Sequence, residues 1–249
     1  MEASEYRTIF EAEERHFWFC GSRRIIMDWV DKALGDMSAR QRATVLDVGA
    51  GTGGVLAMLQ QRGEAWGVEW SPEGAAFIGD RGLRVVRAGL PCLPFRDSAF
   101  DLAVSLDVFE HVLDDQAAMA EVRRVLRPGG RLIATVPALR WLWSEHDEAL
   151  HHHRRYHLPE FRQRLEAAGF TVQRLSYYNT LLLPPIVATR LAGRLRGRRR
   201  GEQGPPTSDV AIPPAPINRA LAAIFGAEVH LLQRVRLPVG ASLIVDARS

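Results

Sequence analysis

Short apolar runs alternate with amphipathic stretches along most of the chain. From Ala43 to Val48 a compact apolar run leads into glycine-rich sequence. Four more runs follow at Ala65–Trp70, Leu83–Arg87, Phe100–Leu106 and Arg131–Val136. Each is short, apolar and bounded by turn residues, the signature of a buried strand. Between the last two, Met119, Val122, Val125 and Leu126 fall on one helical face, and Arg127-Pro128-Gly129-Gly130 predicts the stop of that helix. Leu158–Ala168 reads as an amphipathic helix closed by Gly169, and Phe170–Tyr178 as a sixth strand. Ile217–Arg236 reads as helical and Val239–Ala247 as a seventh strand. Strands that alternate with helices predict an α/β fold whose parallel sheet carries helices on both faces, with ligands bound beyond the carboxyl ends of the strands.

The ends of the chain read differently. Residues 1–35 predict a helical segment, with Ile25, Ile26, Trp29 and Val30 at helical spacing behind an aromatic group, His16-Phe17-Trp18-Phe19. Leu181–Ala192 is apolar but interrupted by Pro184 and Pro185. Six arginines follow between Arg190 and Arg200, and Gly201–Pro216 reads as a linker rich in proline and polar residues. The expected organisation is a helical cap at 1–40, a core at 41–179, an insertion or lid at 180–236, and the final core strand at 237–249.

Composition changes this picture little. Hydrophobic content of 47% with 24% charged residues is that of a globular protein, and the net charge is +3. No apolar run reaches membrane-spanning length. The acidic, polar first fifteen residues lack a secretory pattern. Cys20 and Cys92 have no metal-binding or redox spacing and read as free thiols in a reducing compartment, so a cytoplasmic location is expected. The arginine cluster can attract anionic lipid or nucleic acid, or be a solvated loop.

Candidate chemistry begins at the end of the first strand, in Asp47-Val48-Gly49-Ala50-Gly51-Thr52-Gly53-Gly54. Glycines there let a ligand lie against a tight turn that a β-carbon would block. Glu69 ends the second strand, where a carboxylate can accept hydrogen bonds from ribose hydroxyls. Both features fit a dinucleotide as well as other nucleosides.

The order of motifs separates these options. Asp47-x-Gly49-x-Gly51-x-Gly53, Gly67-Val68-Glu69-Trp70-Ser71-Pro72, Leu93–Asp101, Asp107-Val108-Phe109-Glu110-His111-Val112 and Val125–Gly130 resemble, in sequence order, five motifs of the class I S-adenosylmethionine methyltransferases. The resemblance spans residues 45–136. It implies a Rossmann-like sheet of seven mostly parallel strands with the seventh antiparallel, and S-adenosylmethionine as cofactor. It implies cofactor contacts from Asp47, Gly49, Ala50, Gly51, Gly53, Glu69, Trp70, Gly89, Leu90 and Asp107. Gly89 departs from relatives that carry an acid there to hold the adenine amino group, so backbone around Gly89 and Leu90 is expected to serve instead.

A methyl on a sulfonium is already electrophilic, so the protein has chiefly to align a nucleophile, and a base near neutral pKa helps when that nucleophile is a hydroxyl. His111 and the segment His146-Asp147-x-x-x-His151-His152-His153-Arg154-Arg155-Tyr156-His157 are placed to supply it, with His111, His152, His153 and Tyr156 as the candidate catalytic residues. The plain alternative is a polar helix start in which Arg154 and Arg155 pair with acids. Trp141 and Trp143 can pack on an acceptor or line the core. Asp107, Glu110 and His111 with one histidine of 151–153 offer metal-ligand types, but the spacing is incomplete and no metal is expected. The aromatic start, the His-rich segment and the Pro184-Pro185 stretch resemble a bacterial subgroup associated with cell-surface glycan or lipid metabolism. The expected acceptor is a small or lipid-linked molecule methylated at oxygen or carbon, with peripheral membrane contact through 180–200. An RNA or protein acceptor ranks lower because no aromatic-basic recognition domain is present. A noncatalytic cofactor-binding protein is the remaining alternative.

Overall fold

The structure is a computed structural model that describes residues 3–36, 42–190 and 212–249. Seven strands form one sheet: β1 (Thr44–Val48), β2 (Glu64–Glu69), β3 (Val85–Arg87), β4 (Phe100–Leu106), β5 (Leu126–Pro137), β6 (Thr171–Tyr178) and β7 (Ser242–Arg248). Their order is β3-β2-β1-β4-β5-β7-β6. The first five pair in parallel, and β7 inserts antiparallel between β5 and β6. β1 and β4 are neighbours although two strands intervene in sequence, so the strand order reverses there and opens a crevice at their carboxyl ends.

Helices cover both faces. On one face α5 (Asp115–Val125) and α7 (Leu158–Ala167) bury Met119, Val122, Phe161 and Leu165 against the sheet. On the other, α2 (Phe17–Gly35), α3 (Gly54–Gln60) and α9 (Ala215–Leu232) share one apolar cluster with Val45, Leu102, Val104 and Ile133. The ends of the chain therefore pack into the core that β1 begins. The remaining helices are α1 (Ala3–Ala12), α4 (Pro72–Asp80), α6 (Glu145–Ala149) and α8, residues 183–190.

Local sequence explains several boundaries. Ser71 caps α4, its hydroxyl accepting from the amides of Glu73 and Gly74 at 3.1 and 3.3 Å, with Pro72 in the first helical turn. The predicted N-terminal helix is divided at residues 13–16. Asn218 of α9 holds that break: its Oδ1 accepts from Phe17 N at 2.9 Å and its Nδ2 donates to the Arg15 carbonyl at 2.7 Å. The helix before β5 ends at Val125, earlier than Arg-Pro-Gly-Gly suggests, because Pro128 disfavours helical backbone at Arg127. Leu126 already pairs with Phe100, and the register shifts before Leu102 meets Arg131.

No helix of the described residues is long and apolar enough to cross a membrane. Arg194–Arg200 and most of the proline-rich linker lie outside the described residues.

Candidate active site

The crevice between β1 and β4 opens into a cavity of about 960 Å³, at the upper end of the roughly 300–1,000 Å³ usual for small-molecule sites. One end is made by the glycine turn. Gly49 has φ 73° and a β-carbon there would meet Val108 Cγ2 at 2.5 Å. Gly51 has φ 57°, and a β-carbon there would meet no atom within 4 Å, so the space beside it is free for a ligand. Gly53 differs. It caps α3 in the left-handed region and does not line the cavity, so it shapes the turn without facing a ligand.

Two carboxylates close to this turn set its electrostatics. Asp47 is buried and its Oδ2 has no hydrogen-bond partner. Burial first, and then the nearby Glu69, push its pKa up to about 7. Such a carboxyl is suited to receive a cation. Glu69 is also buried, and protein donors already serve it: Gly51 N to Oε2 at 2.8 Å, and Tyr6 Oη and Ser71 N to Oε1, both at 2.9 Å. A carboxylate accepts about four hydrogen bonds, so capacity for a hydroxyl remains. Ala50, Trp70, Gly89 and Leu90 line the same end. Trp70 lies beyond the end of β2 and is 77% exposed. Asp107, at φ 52°, sits where β4 ends, held by the carbonyl and hydroxyl of Thr135: its N–H donates to Thr135 O at 3.0 Å, and Thr135 Oγ1 donates to its Oδ1 at 3.1 Å. Burial raises the Asp107 carboxyl, with the Thr135 hydrogen bond opposing.

Sequence reasoning missed how α1 is fastened over this end. Tyr6 reaches Glu69, and buried Glu13 pairs with Arg23 and Arg81 and accepts from Thr52 Oγ1 at 2.9 Å. Glu13 thus joins the N-terminal helices to the glycine turn and to α4. The helical pattern of residues 1–35 announces helices, but nothing in it announces these partners.

At the other end, Glu110, His111 and His152 line the cavity with Arg155, Asn179 and an apolar wall that includes Trp18, Leu182, Ile186 and Leu221. His111 keeps exposed surface, while desolvation of its ring by the surrounding protein, and then His152, push its pKa down to about 3. His152 Nδ1 lies 2.9 Å from Asp147 Oδ1, and Arg155 donates to both oxygens of Asp147 at 2.7 and 3.0 Å. Burial works to raise the Asp147 carboxyl, but the hydrogen bonds from His152 and Arg155 outweigh it and hold it low. Asn179 is fully buried at φ 57°, and neither atom of its amide has a hydrogen-bond partner.

The structure separates the remaining candidates. Tyr156 is fully buried away from the cavity, its hydroxyl donating to Asp115 Oδ2 at 2.7 Å, and Asp115 also pairs with Arg154 and Arg164. Tyr156 is therefore a brace between α5 and the loop before α7, and its catalytic assignment is withdrawn. His153 is exposed and off the cavity wall, so it too is withdrawn. Of this stretch Leu142 lines the cavity, and Trp141 and Trp143 do not. Asp147 and Asn179 were missed; the His146-Asp147 start of the histidine segment was visible, whereas Asn179 carries no sequence signal.

Residues 46–134 match the family model described as a methyltransferase domain. Over these residues the chain is similar to methyltransferase domains. A Mycobacterium sp. (strain KMS) protein described as an uncharacterized methyltransferase is 40% identical over 115 residues, covering 44% of this chain and 45% of that protein. A probable S-adenosylmethionine-dependent methyltransferase of Mycolicibacterium smegmatis is 29% identical over 172 residues, covering 67% and 64%. The match thus spans about half the length of the first of these relatives and somewhat more of the second. Among solved structures, a SAM-dependent methyltransferase from Thermotoga maritima superposes with a TM-score of 0.58 at 18% identity, covering 98% of this chain and 95% of that one. At that identity the likeness concerns the fold.

The methyltransferase domain implies S-adenosylmethionine, and the residues fit it. The orphaned Asp47 oxygen and the open space at Gly51 stand beside a buried ribose-type acid. Asp47 and Asp107 would hold the cationic amino-acid part, Glu69 the ribose, and the backbone near Gly89 and Leu90 the base.

Proposed function

We propose that this protein methylates a small or lipid-linked acceptor at oxygen or carbon, using S-adenosylmethionine. When bound, that cofactor supplies an electrophilic methyl group. The protein's part is to orient the acceptor and exclude water. The observation that carries this reading is the continuity of one cavity from the glycine turn to the apolar wall of Trp18, Leu182, Ile186 and Leu221. Burying an apolar body there contributes about 25 cal/mol per Å². Asn179, with its unpartnered amide, offers a donor and an acceptor to the polar part of the acceptor. The exposed Leu181 next to α8 and the basic segment beyond it suit contact with an anionic bilayer, from which a lipid-linked acceptor would be drawn.

The test is release of S-adenosylhomocysteine from labelled cofactor, with cell extracts divided into small-molecule, lipid, glycan, RNA and protein fractions. Turnover confined to the lipid or small-molecule fraction is expected. Turnover with the RNA or protein fraction alone would overturn the acceptor class. Once an acceptor is in hand, Asn179→Ala should raise its KM by about two- to tenfold, the worth of one neutral hydrogen bond, without changing cofactor affinity.

A further inference from the structure

The histidine end of the cavity contains a group that acceptor orientation alone leaves unexplained. Glu110 lies in the 3-10 turn Phe109–His111 just after β4 and has no exposed surface. Neither of its carboxylate oxygens has a hydrogen-bond partner in another residue. An ionised carboxylate in that position is costly unless a cation or a proton compensates it.

Two imidazoles stand beside it. One ligand atom each from Glu110, His111 and His152 all lie within 4.8 Å of one another. The His111 and His152 rings meet edge to face, their centroids 4.7 Å apart, and His152 Nε2 is 4.0 Å from Glu110 Oε1. The ring of His152 is set from behind. Asp147 holds Nδ1, and Arg155 fixes Asp147 while also donating to the Ala138 carbonyl at 2.9 Å, which ties the support to the end of β5. A carboxylate on one ring nitrogen fixes the tautomer and turns the other nitrogen outward as a ligand, which is how metal-binding histidines are commonly supported.

We propose that Glu110, His111 and His152 bind a divalent transition-metal ion, of which zinc is the type, with one coordination position left open to the cavity. Two imidazoles and one carboxylate are the donor set of open, catalytic sites for such ions. Bonds of about 2.0–2.2 Å in a tetrahedral site put ligand atoms roughly 3.3 Å apart, so the observed spread closes by modest side-chain rotation. The ion supplies the positive charge that Glu110 lacks. All three ligands line the cavity, so the open position faces the acceptor side, where the ion would hold and polarise an acceptor oxygen. That last role rests on the methyl-transfer reading; the binding of the ion does not.

The competing account compensates Glu110 with protons, on the carboxyl itself or on His152 between Asp147 and Glu110. The two accounts separate on chelator-stripped protein titrated with Zn²⁺ by calorimetry and with Co²⁺ by visible absorption. The expected result is one ion per chain, with Co²⁺ bands of four- or five-coordinate intensity. Glu110→Gln, which keeps the shape of the side chain, and His152→Ala should each weaken binding by at least about a hundredfold. His153→Ala should bind as wild type, and thermal melts of all three check that they fold. Absence of stoichiometric binding by the folded wild type would overturn the proposal, as would unchanged binding in folded Glu110→Gln and His152→Ala. Calorimetry with S-adenosylmethionine, run in parallel, keeps the two readings apart: cofactor binding without metal binding removes the ion alone, and metal binding without cofactor binding removes the methyl-transfer reading alone.

Discussion

At the glycine turn, the groups that face the cavity come mostly from two strand ends and the turn between them, and several are backbone atoms. At the histidine end they are side chains gathered from the turn after β4, the loop after α6, the end of β6 and α8. The first end is set by conformations that only certain residues adopt. The second is set by a buried hydrogen-bonded chain, Arg155 to Asp147 to His152, built round one ion pair, and by which distant segments pack together. A turn of this kind recurs wherever a strand meets a helix with the same glycines. A charge chain depends on every partner being present, because each buried ion is tolerable only while its neighbour remains.

Breaking the charge chain should have the largest effect. Arg155→Met leaves Asp147 buried with His152 and Ser144 as its remaining partners and no guanidinium beside it. Loss of one member of such a pair costs about 3–5 kcal/mol. For a protein of this size that corresponds to a fall in Tm of roughly 6–20 °C, read by calorimetry or circular dichroism. A fall of only a degree or two would mean the histidine end is held by packing. The glycine-turn end should instead respond in affinity. Glu69→Ala removes an acceptor worth about 1.5–3 kcal/mol of charged hydrogen bonding and should weaken S-adenosylmethionine binding about tenfold or more. Tyr6 and Ser71 lose their partner in the same variant, so a melt must accompany the titration.

The smallest effect is a pH dependence. The folded-state pKa of Asp47 is raised, to about 7, above the ordinary carboxylate value. Between about pH 4 and 7 the folded protein therefore keeps a proton that the unfolded chain has released. The stability contribution of this group declines as pH rises through that window and levels off above it. A cation bound beside Asp47 favours the ionised form, so cofactor affinity should run the opposite way, rising several-fold from pH 6 to pH 8 with release of a proton on binding. Calorimetry in two buffers of different ionisation enthalpy measures that proton. A pH-independent affinity in wild type, or the same profile in Asp47→Asn, would assign the effect elsewhere.

The two ends also differed in how far they could be read in advance. β1, β2 and β4 and the turn between β1 and α3 follow from local apolar runs and from glycines whose φ no other residue adopts easily, so Asp47, Gly49, Gly51 and Glu69 were visible together. The antiparallel seventh strand came from resemblance, since periodicity carries no strand direction. Tyr156 and His153 were misplaced because a run of polar residues does not say which side chain turns inward. Tyr156 went to Asp115, forty-one positions earlier. Asn179 could not be seen at all, because it matters through its burial and its left-handed backbone rather than through any pattern.

The grip of Asn218 on the joint between α1 and α2 has a consequence for how the protein is made. It links positions about two hundred residues apart. During synthesis β1 to β5 can pair before α9 emerges, whereas β6 has to wait for β7, which follows α9, and the N-terminal helices have no partner at that joint until α9 appears. The roof of the cofactor pocket should therefore be completed late, and a nascent chain halted before α9 should hold the first helices only loosely over the five parallel strands.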